Sequence, residues 1–222
     1  MTVNIRSALP VTVPGMRVGL LGGSFDPAHA AHLAISQQAL VRFGLDRVWW
    51  LVSPGNPLKA RGPAALAARM DWARVVARDP RIFVTDIEAR LNTRRTIDTI
   101  TALQNLCPAL RFTWLMGADN LAQFHLWEDW RGIAARVPIG VLARPGSRMA
   151  ARRSPAARVL WQSQLRGQAV RGLGAARPPA WAMINVPMSG QSSTRIRAQL
   201  ARDGQDWTAA GPAMRHKVVG DG

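Results

Sequence analysis

The chain has one cysteine, Cys107, and no tyrosine in 222 residues. A single thiol cannot close an intramolecular disulfide, so packing alone has to hold the fold, and nothing points to an oxidising compartment. Acidic side chains are also scarce: 13 Asp and Glu stand against 29 Lys and Arg, a net charge of +16. No apolar run reaches the roughly 18–20 residues that span a bilayer. Residues 1–15 carry an arginine but no apolar stretch of signal-peptide length before Pro10 and Pro14. The expectation from these absences is a soluble, cytoplasmic protein.

What is present fits one globular domain. A chain of this length buries a full core without metal or disulfide staples, and its 48% hydrophobic residues are ordinary for that class. The basic excess suits nucleic acid, an anionic surface or a polyphosphate substrate. Much of it is arginine scattered through Ala/Arg stretches, which also reads as a solvated basic surface. A basic nucleic-acid-binding protein rests on the charge alone, without interleaved aromatics on a basic stripe.

Short apolar runs at 16–21, 48–53, 82–87, 110–116, 137–143 and 181–186 read as strands buried on both faces. Helical spacing at 30–42, 64–78, 96–106 and 192–201 falls between them. The alternation predicts an α/β sheet covered by helices on both faces, with ligands beyond the carboxyl ends of the strands. Residues 1–15 read as a loose tail and 16–222 as a single domain. Within it, 144–180 mixes Pro, Gly, Arg and Ala, and reads as one helix over 154–165 followed by a long loop.

Two constellations carry chemistry. The first strand runs into Gly22-Gly23-Ser24-Phe25-Asp26-Pro27-Ala28-His29-Ala30-Ala31-His32. Paired glycines permit a tight turn and close ligand approach; Asp26 suits a helix cap and Pro27 the first helical position. His29 and His32 share one helical face at a helix start, where free N–H groups and the dipole favour an anion. A metal site on the two histidines would have only Asp26 nearby as a third ligand, and the glycine spacing matches neither the P-loop nor the dinucleotide fingerprint. The second constellation, Ser192-Ser193-Thr194-Arg195-Ile196-Arg197, follows the last strand. Its serines are N-caps, Ser193 and Arg197 share a face, and Ile196 and Leu200 turn to the core. This is a second anion site, or simply a capped helix with a surface arginine.

Together the motifs resemble the nucleotidyltransferase superfamily with HxGH and SSTxxR signatures. Several segments are similar to bacterial nicotinate mononucleotide adenylyltransferases in particular. These are Asn56-Pro57-Leu58-Lys59, Thr96-Ile97-Asp98-Thr99, Gly117-Ala118-Asp119-Asn120 with Phe124-His125-Leu126-Trp127, and Ala143-Arg144-Pro145-Gly146. Their order and spacing agree along nearly the whole chain after residue 15.

The resemblance implies a Rossmann-like doubly wound parallel sheet with a small helical C-terminal part. It also implies adenylyl transfer from ATP to nicotinate mononucleotide on the way to NAD. Gly22, Gly23, Ser24, Phe25, His29, His32 and Lys59 would bind the triphosphate. Gly117 and Asp119 would contact adenosine, while Ser192, Ser193 and Arg197 would hold phosphates from the other side. The catalytic set would be His29, His32 and Arg197. Thr96 and Trp127 would take the nicotinate, with Asp26 and Arg144 on the same acceptor side. Mg²⁺ would be held mainly by substrate phosphates, leaving no protein metal centre. Three departures stand out: Ala31 replaces the usual glycine, Arg95 stands where an aromatic is common, and tyrosine is absent. Another adenylyltransferase of the superfamily, such as the pantetheine-phosphate enzyme, is the nearest alternative.

Overall fold

The computed structural model describes residues 5, 9–55, 62–146, 148–187, 192–204 and 206–209. Six strands, β1 (Arg17–Gly23), β2 (Arg47–Val52), β3 (Ile82–Thr85), β4 (Arg111–Gly117), β5 (Ile139–Ala143) and β6 (Trp181–Asn185), form one sheet. Its order is β3-β2-β1-β4-β5-β6 and every pairing is parallel. The chain steps one way from β1 to β2 and β3, then crosses back from β3 to β4 on the other side of β1; this reversal of strand order is the switch point at which such folds open a crevice, beyond the carboxyl ends of β1 and β4.

The continuous apolar runs make sense because side chains alternate between two buried faces. Val18, Leu20, Trp49 and Leu51 enter one core, and Leu21, Val48, Trp50 and Val52 enter the other. The second face is covered by α1 (Ala30–Arg42), α2 (Leu66–Val76) and α9 (Ser193–Arg202), through Ala39, Leu40, Met70, Ala73, Ile196 and Leu200. The first face is covered by α3 (Ile87–Arg90), α4 (Thr96–Leu106), α5 (Ala118–Gln123), α6 (Trp130–Arg136), α7 (Arg148–Arg153) and α8 (Pro155–Val159). Trp49, Trp50, Trp72 and Trp181 are almost wholly enclosed. Burial of apolar surface, to which these large rings add, is the main favourable term, at about 25 cal/mol per Å².

The strands and the helices at 30–42, 96–106 and 192–201 lie where the sequence reading puts them, within two residues. The region 144–180 differs. Its helix from Ser154 ends at Val159, because the Leu160 carbonyl is taken by Trp181 Nε1 at 2.8 Å. A 3₁₀ turn, Trp161–Ser163, follows, and the expected long loop contains a second 3₁₀ stretch, Gly167–Ala175. Within 1–15, Ile5 and Leu9 pack against the core, and the Gly15 N–H donates to Ala109 O at 2.7 Å. After α9, Trp207 packs edge-on against Trp72 of α2, with ring centroids 5.6 Å apart. No helix among the described residues is long and apolar enough to cross a membrane.

Candidate active site

All six strands point the same way, so the turns after β1, β4, β5 and β6 gather at one edge of the sheet. The turn after β1 departs from expectation in one respect. Asp26 does not cap the helix and Pro27 is not its first residue; α1 begins at Ala30 with His29 as N-cap. The cap interaction is made by the histidines, since the His29 N–H donates to His32 Nδ1 at 3.2 Å. A ring that accepts at Nδ1 carries its hydrogen on Nε2 when neutral. His32 thus keeps one N–H donor, of fixed tautomer, for a ligand.

Beneath the histidines lies an aromatic stack. The imidazoles are 4.0 Å apart between centroids, the Phe25 ring is 4.8 Å from His32, and Phe25 stacks on Trp50 at 5.0 Å. Trp50 Nε1 donates to Ser36 Oγ, which donates in turn to the His32 carbonyl, both at 2.8 Å. Burial pushes the His32 pKa down to about 3, helped by the neighbouring His29. Burial and the nearby positive charge of Arg144 push His29 down to about 4. Both rings are neutral at pH 7 in the free protein.

A stability consequence follows. Between about pH 6.5 and 3 the unfolded chain binds protons that the two folded histidines refuse, so these groups cost stability as pH falls through that window. His32 alone accounts for about 2 kcal/mol by pH 5, at about 1.4 kcal/mol per pKa unit. Glu88, raised to about 7 by burial, acts in the opposite direction between about pH 7 and 4.5, but equally in any histidine variant. His32→Gln is therefore expected to gain about 2 kcal/mol relative to the parent on going from pH 7 to 5. Urea unfolding of both proteins at the two pH values measures this, and parallel losses would show that His32 is not held neutral.

The second constellation closes on the first. Ser192 caps α9 by accepting from the Arg195 N–H at 3.2 Å. Ser193 Oγ donates to the Pro27 carbonyl at 2.9 Å. Arg197 donates from Nη1 to the Asp26 carbonyl, and the same nitrogen is 3.5 Å from Asp26 Oδ2. The start of α9 thus meets the turn that leads into α1, through bonded pairs 166 and 171 residues apart in sequence. Gly117 ends β4 and is the N-cap of α5, leaving Asp119 in its first turn. Arg144, beyond β5, comes within 3.9 Å of Asp119 Oδ1. It also acts on both histidines. The structure therefore puts Arg144 near Asp119 and the two histidines, and Asp26 beside the start of α9.

The remaining acceptor candidates form a separate group. Thr96 opens α4 after Arg95, with no side chain capping that start. Arg95 turns sideways, bonding Asp98 at 2.6 Å and Glu128 at 2.5 Å, and so joins the start of α4 to the residue after Trp127. Trp127 is half-buried, edge-on to Phe124 and Trp114. Lys59 lies outside the described residues.

Sequence reasoning missed Arg69 and Trp72 of α2. Arg69 is fully buried and its guanidinium donates to the carbonyls of Ser24, Ser53 and Ala64, each at 2.7 Å. Trp72 Nε1 donates to the Ala28 carbonyl at 2.8 Å. A signal was available: Arg69, Ala73 and Val76 share one helical face, and an arginine at a core position needs partners.

A family model described as cytidylyltransferase-like matches residues 20–199. A protein of Ruegeria pomeroyi named "probable nicotinate-nucleotide adenylyltransferase" is 60% identical over 194 residues, covering 87% of this chain and 91% of its own. One of the same name from Roseobacter denitrificans is 55% identical, covering 88% of this chain and 98% of its own. The chain belongs to the nicotinate-nucleotide adenylyltransferase family. The fold is also that of the Plasmodium falciparum nicotinic acid mononucleotide adenylyltransferase complexed with NaAD. That match has a TM-score of 0.61 and 16% identity, over 83% of this chain and 84% of that one.

Proposed function

We infer that the chain transfers the adenylyl group of ATP to the phosphate of nicotinate mononucleotide, in the cytoplasm, giving nicotinate adenine dinucleotide and pyrophosphate. The observation that carries this reading is the convergence of α1 and α9 on one turn, two anion-favouring helix starts facing a single crevice. An oxygen of the acceptor phosphate attacks the α-phosphorus. The bond from that phosphorus to the bridging oxygen breaks, and pyrophosphate leaves with the electron pair. The nucleophile is already ionised, so the protein needs no base; its work is alignment and charge neutralisation. His32 offers Nε2–H, His29 and the turn's backbone offer further donors, and Arg197 reaches in from the other side. Gly117 and Asp119 would hold adenosine, and Lys59 would add a charge on the polyphosphate.

Among the described residues no group of three or more His, Cys, Asp or Glu could hold a metal. Asp26 Oδ1, buried and without a hydrogen-bond partner, is a single carboxylate donor at the turn. That suits Mg²⁺, which keeps several waters and binds largely through substrate phosphates. Asp26 would hold it, and when bound the ion would neutralise phosphate charge.

Acceptor choice follows from the start of α4. Its uncapped N–H groups and its dipole favour a carboxylate over an amide, because the NH₂ of an amide would face donors and leave them unpaired, at about 1–3 kcal/mol. Trp127 adds about 0.5–1.5 kcal/mol by stacking on the pyridine. The expected result is at least about a tenfold preference for the acid in kcat/KM, since 1.4 kcal/mol is one decade. Arg95 is already engaged by two carboxylates and would add little. Pyrophosphate release with ATP and nicotinate mononucleotide, its amide, phosphopantetheine or no acceptor tests the reading. Equal use of acid and amide would overturn the nicotinate assignment, and turnover with phosphopantetheine alone would move the chain to another acceptor. An unaltered acceptor KM in Trp127→Ala would make that ring a core residue only.

A further inference from the structure

Four of the five carbonyls in the turn 24–28 are bonded from behind. Arg69 holds Ser24 O and Trp72 holds Ala28 O, both from α2. Ser193 holds Pro27 O and Arg197 holds Asp26 O, both from α9. Arg69 does more than its neighbours. The same guanidinium takes Ser53 O at the end of β2, Ala64 O just before α2 and, at 3.4 Å, Pro54 O. A fully buried cation whose hydrogen bonds all go to neutral carbonyls, with the nearby charge of Asp26 only partly offsetting its burial, is a costly arrangement, and a fold that needed only filler at this position would have an apolar residue there.

We propose that Arg69 is a positioning residue for the phosphate-binding turn, setting the direction in which its backbone N–H groups point. The reason is peptide geometry. In a planar trans peptide the C=O of one residue and the N–H of the next point in opposite directions. Drawing the Ser24 carbonyl inward to Arg69 therefore turns the Phe25 N–H outward, and that N–H has no acceptor among the described residues. Phe25 sits at φ 46°, a conformation costly for a bulky side chain. An inward anchor at Ser24 and the enclosed Phe25 ring together hold it there. Because Arg69 also ties down the residues just beyond β2, it sets the spacing between the turn after β1 and Ser53 and Pro54. Only a guanidinium can do this: its rigid fork reaches several carbonyls at once, whereas an ammonium on a flexible stem acts as a point charge.

The inference rests on the turn being a polyphosphate site, as the proposed function has it. Its test uses binding, so that it does not depend on which acceptor is used. In titration calorimetry with inorganic pyrophosphate and with ATP, folded Arg69→Lys is expected to bind both about tenfold or more weakly. Nicotinate mononucleotide binding should weaken less than that of either, because the N–H groups at the start of α4 are not touched. A purely structural arginine would lower the melting temperature of the variant and leave the dissociation constants of the folded protein unchanged; that result overturns the proposal. If Arg69→Lys does not fold, the parent protein supplies the test by ¹⁵N NMR. The Phe25 amide should shift markedly on adding pyrophosphate, and an unmoved Phe25 signal while other turn amides respond overturns it equally. If the parent binds neither pyrophosphate nor ATP, the functional reading itself fails, a distinct outcome.

Discussion

His32→Ala is expected to lower kcat by about 10²-fold or more while the protein stays folded. A donor aimed at charge that develops in the transition state is typically worth about 2.7–4 kcal/mol. His32 meets the conditions for such a donor: its Nδ1 is occupied by the His29 N–H, which leaves Nε2–H free, and the ring is fixed against Phe25 and Trp50. Because burial keeps the imidazole neutral before substrate arrives, its hydrogen bond strengthens as negative charge builds up, without a carboxylate partner to compete. His32→Gln separates this role from packing, since it keeps most of the volume and a donor, though not at the same point. It should recover stability more than turnover. Steady-state rates alongside circular dichroism decide the matter, and parental turnover by well-folded His32→Ala would remove the histidine from the mechanism.

Arg197→Lys should cost about 10–10²-fold in kcat/KM for ATP even though the charge is retained. One nitrogen of Arg197 already holds the Asp26 carbonyl, and the other is 3.5 Å from Thr194 Oγ1. The guanidinium can keep its grip on the turn with one arm and take a phosphate oxygen with the other, whereas a lysine has to choose. Hydrogen bonds to charged groups are worth about 1.5–3 kcal/mol, which sets the range. Kinetics with varied ATP at saturating acceptor measure it. An unchanged kcat/KM would mean that Arg197 only latches α9 to the turn through Asp26.

Much of the architecture was legible in the residues themselves. Burial on both faces makes a strand such as Arg47–Val52 an unbroken apolar run from Val48 onward, and its shortness and its β-branched and aromatic content separate it from a buried helix. The helix at Ala30–Arg42 announces itself by a glycine turn before it and apolar spacing within it. Between Arg148 and Ala175 the same logic fails. Arginine and alanine dominate there, both are good helix formers without a marked apolar face, and the helix from Ser154 stops where a distant indole takes the Leu160 carbonyl.

The site divides in the same way. Which residues form the two candidate anion sites was a local matter: two histidines one helical turn apart, and serines ahead of an arginine one turn in, are set by spacing along the chain. How they are aimed was not. That Asp26 faces Arg197 instead of capping a helix, that His29 takes the cap, that Arg144 stands near the histidines, and that Arg69 pulls the Ser24 carbonyl inward all depend on parallel strands delivering their turns to one edge of the sheet. Spacing determines which side chains share a face of one element. Only the packing of one element on another determines which carbonyl a guanidinium meets, because that partner lies 45 residues away in sequence for Ser24 and Arg69, and 171 for Asp26 and Arg197.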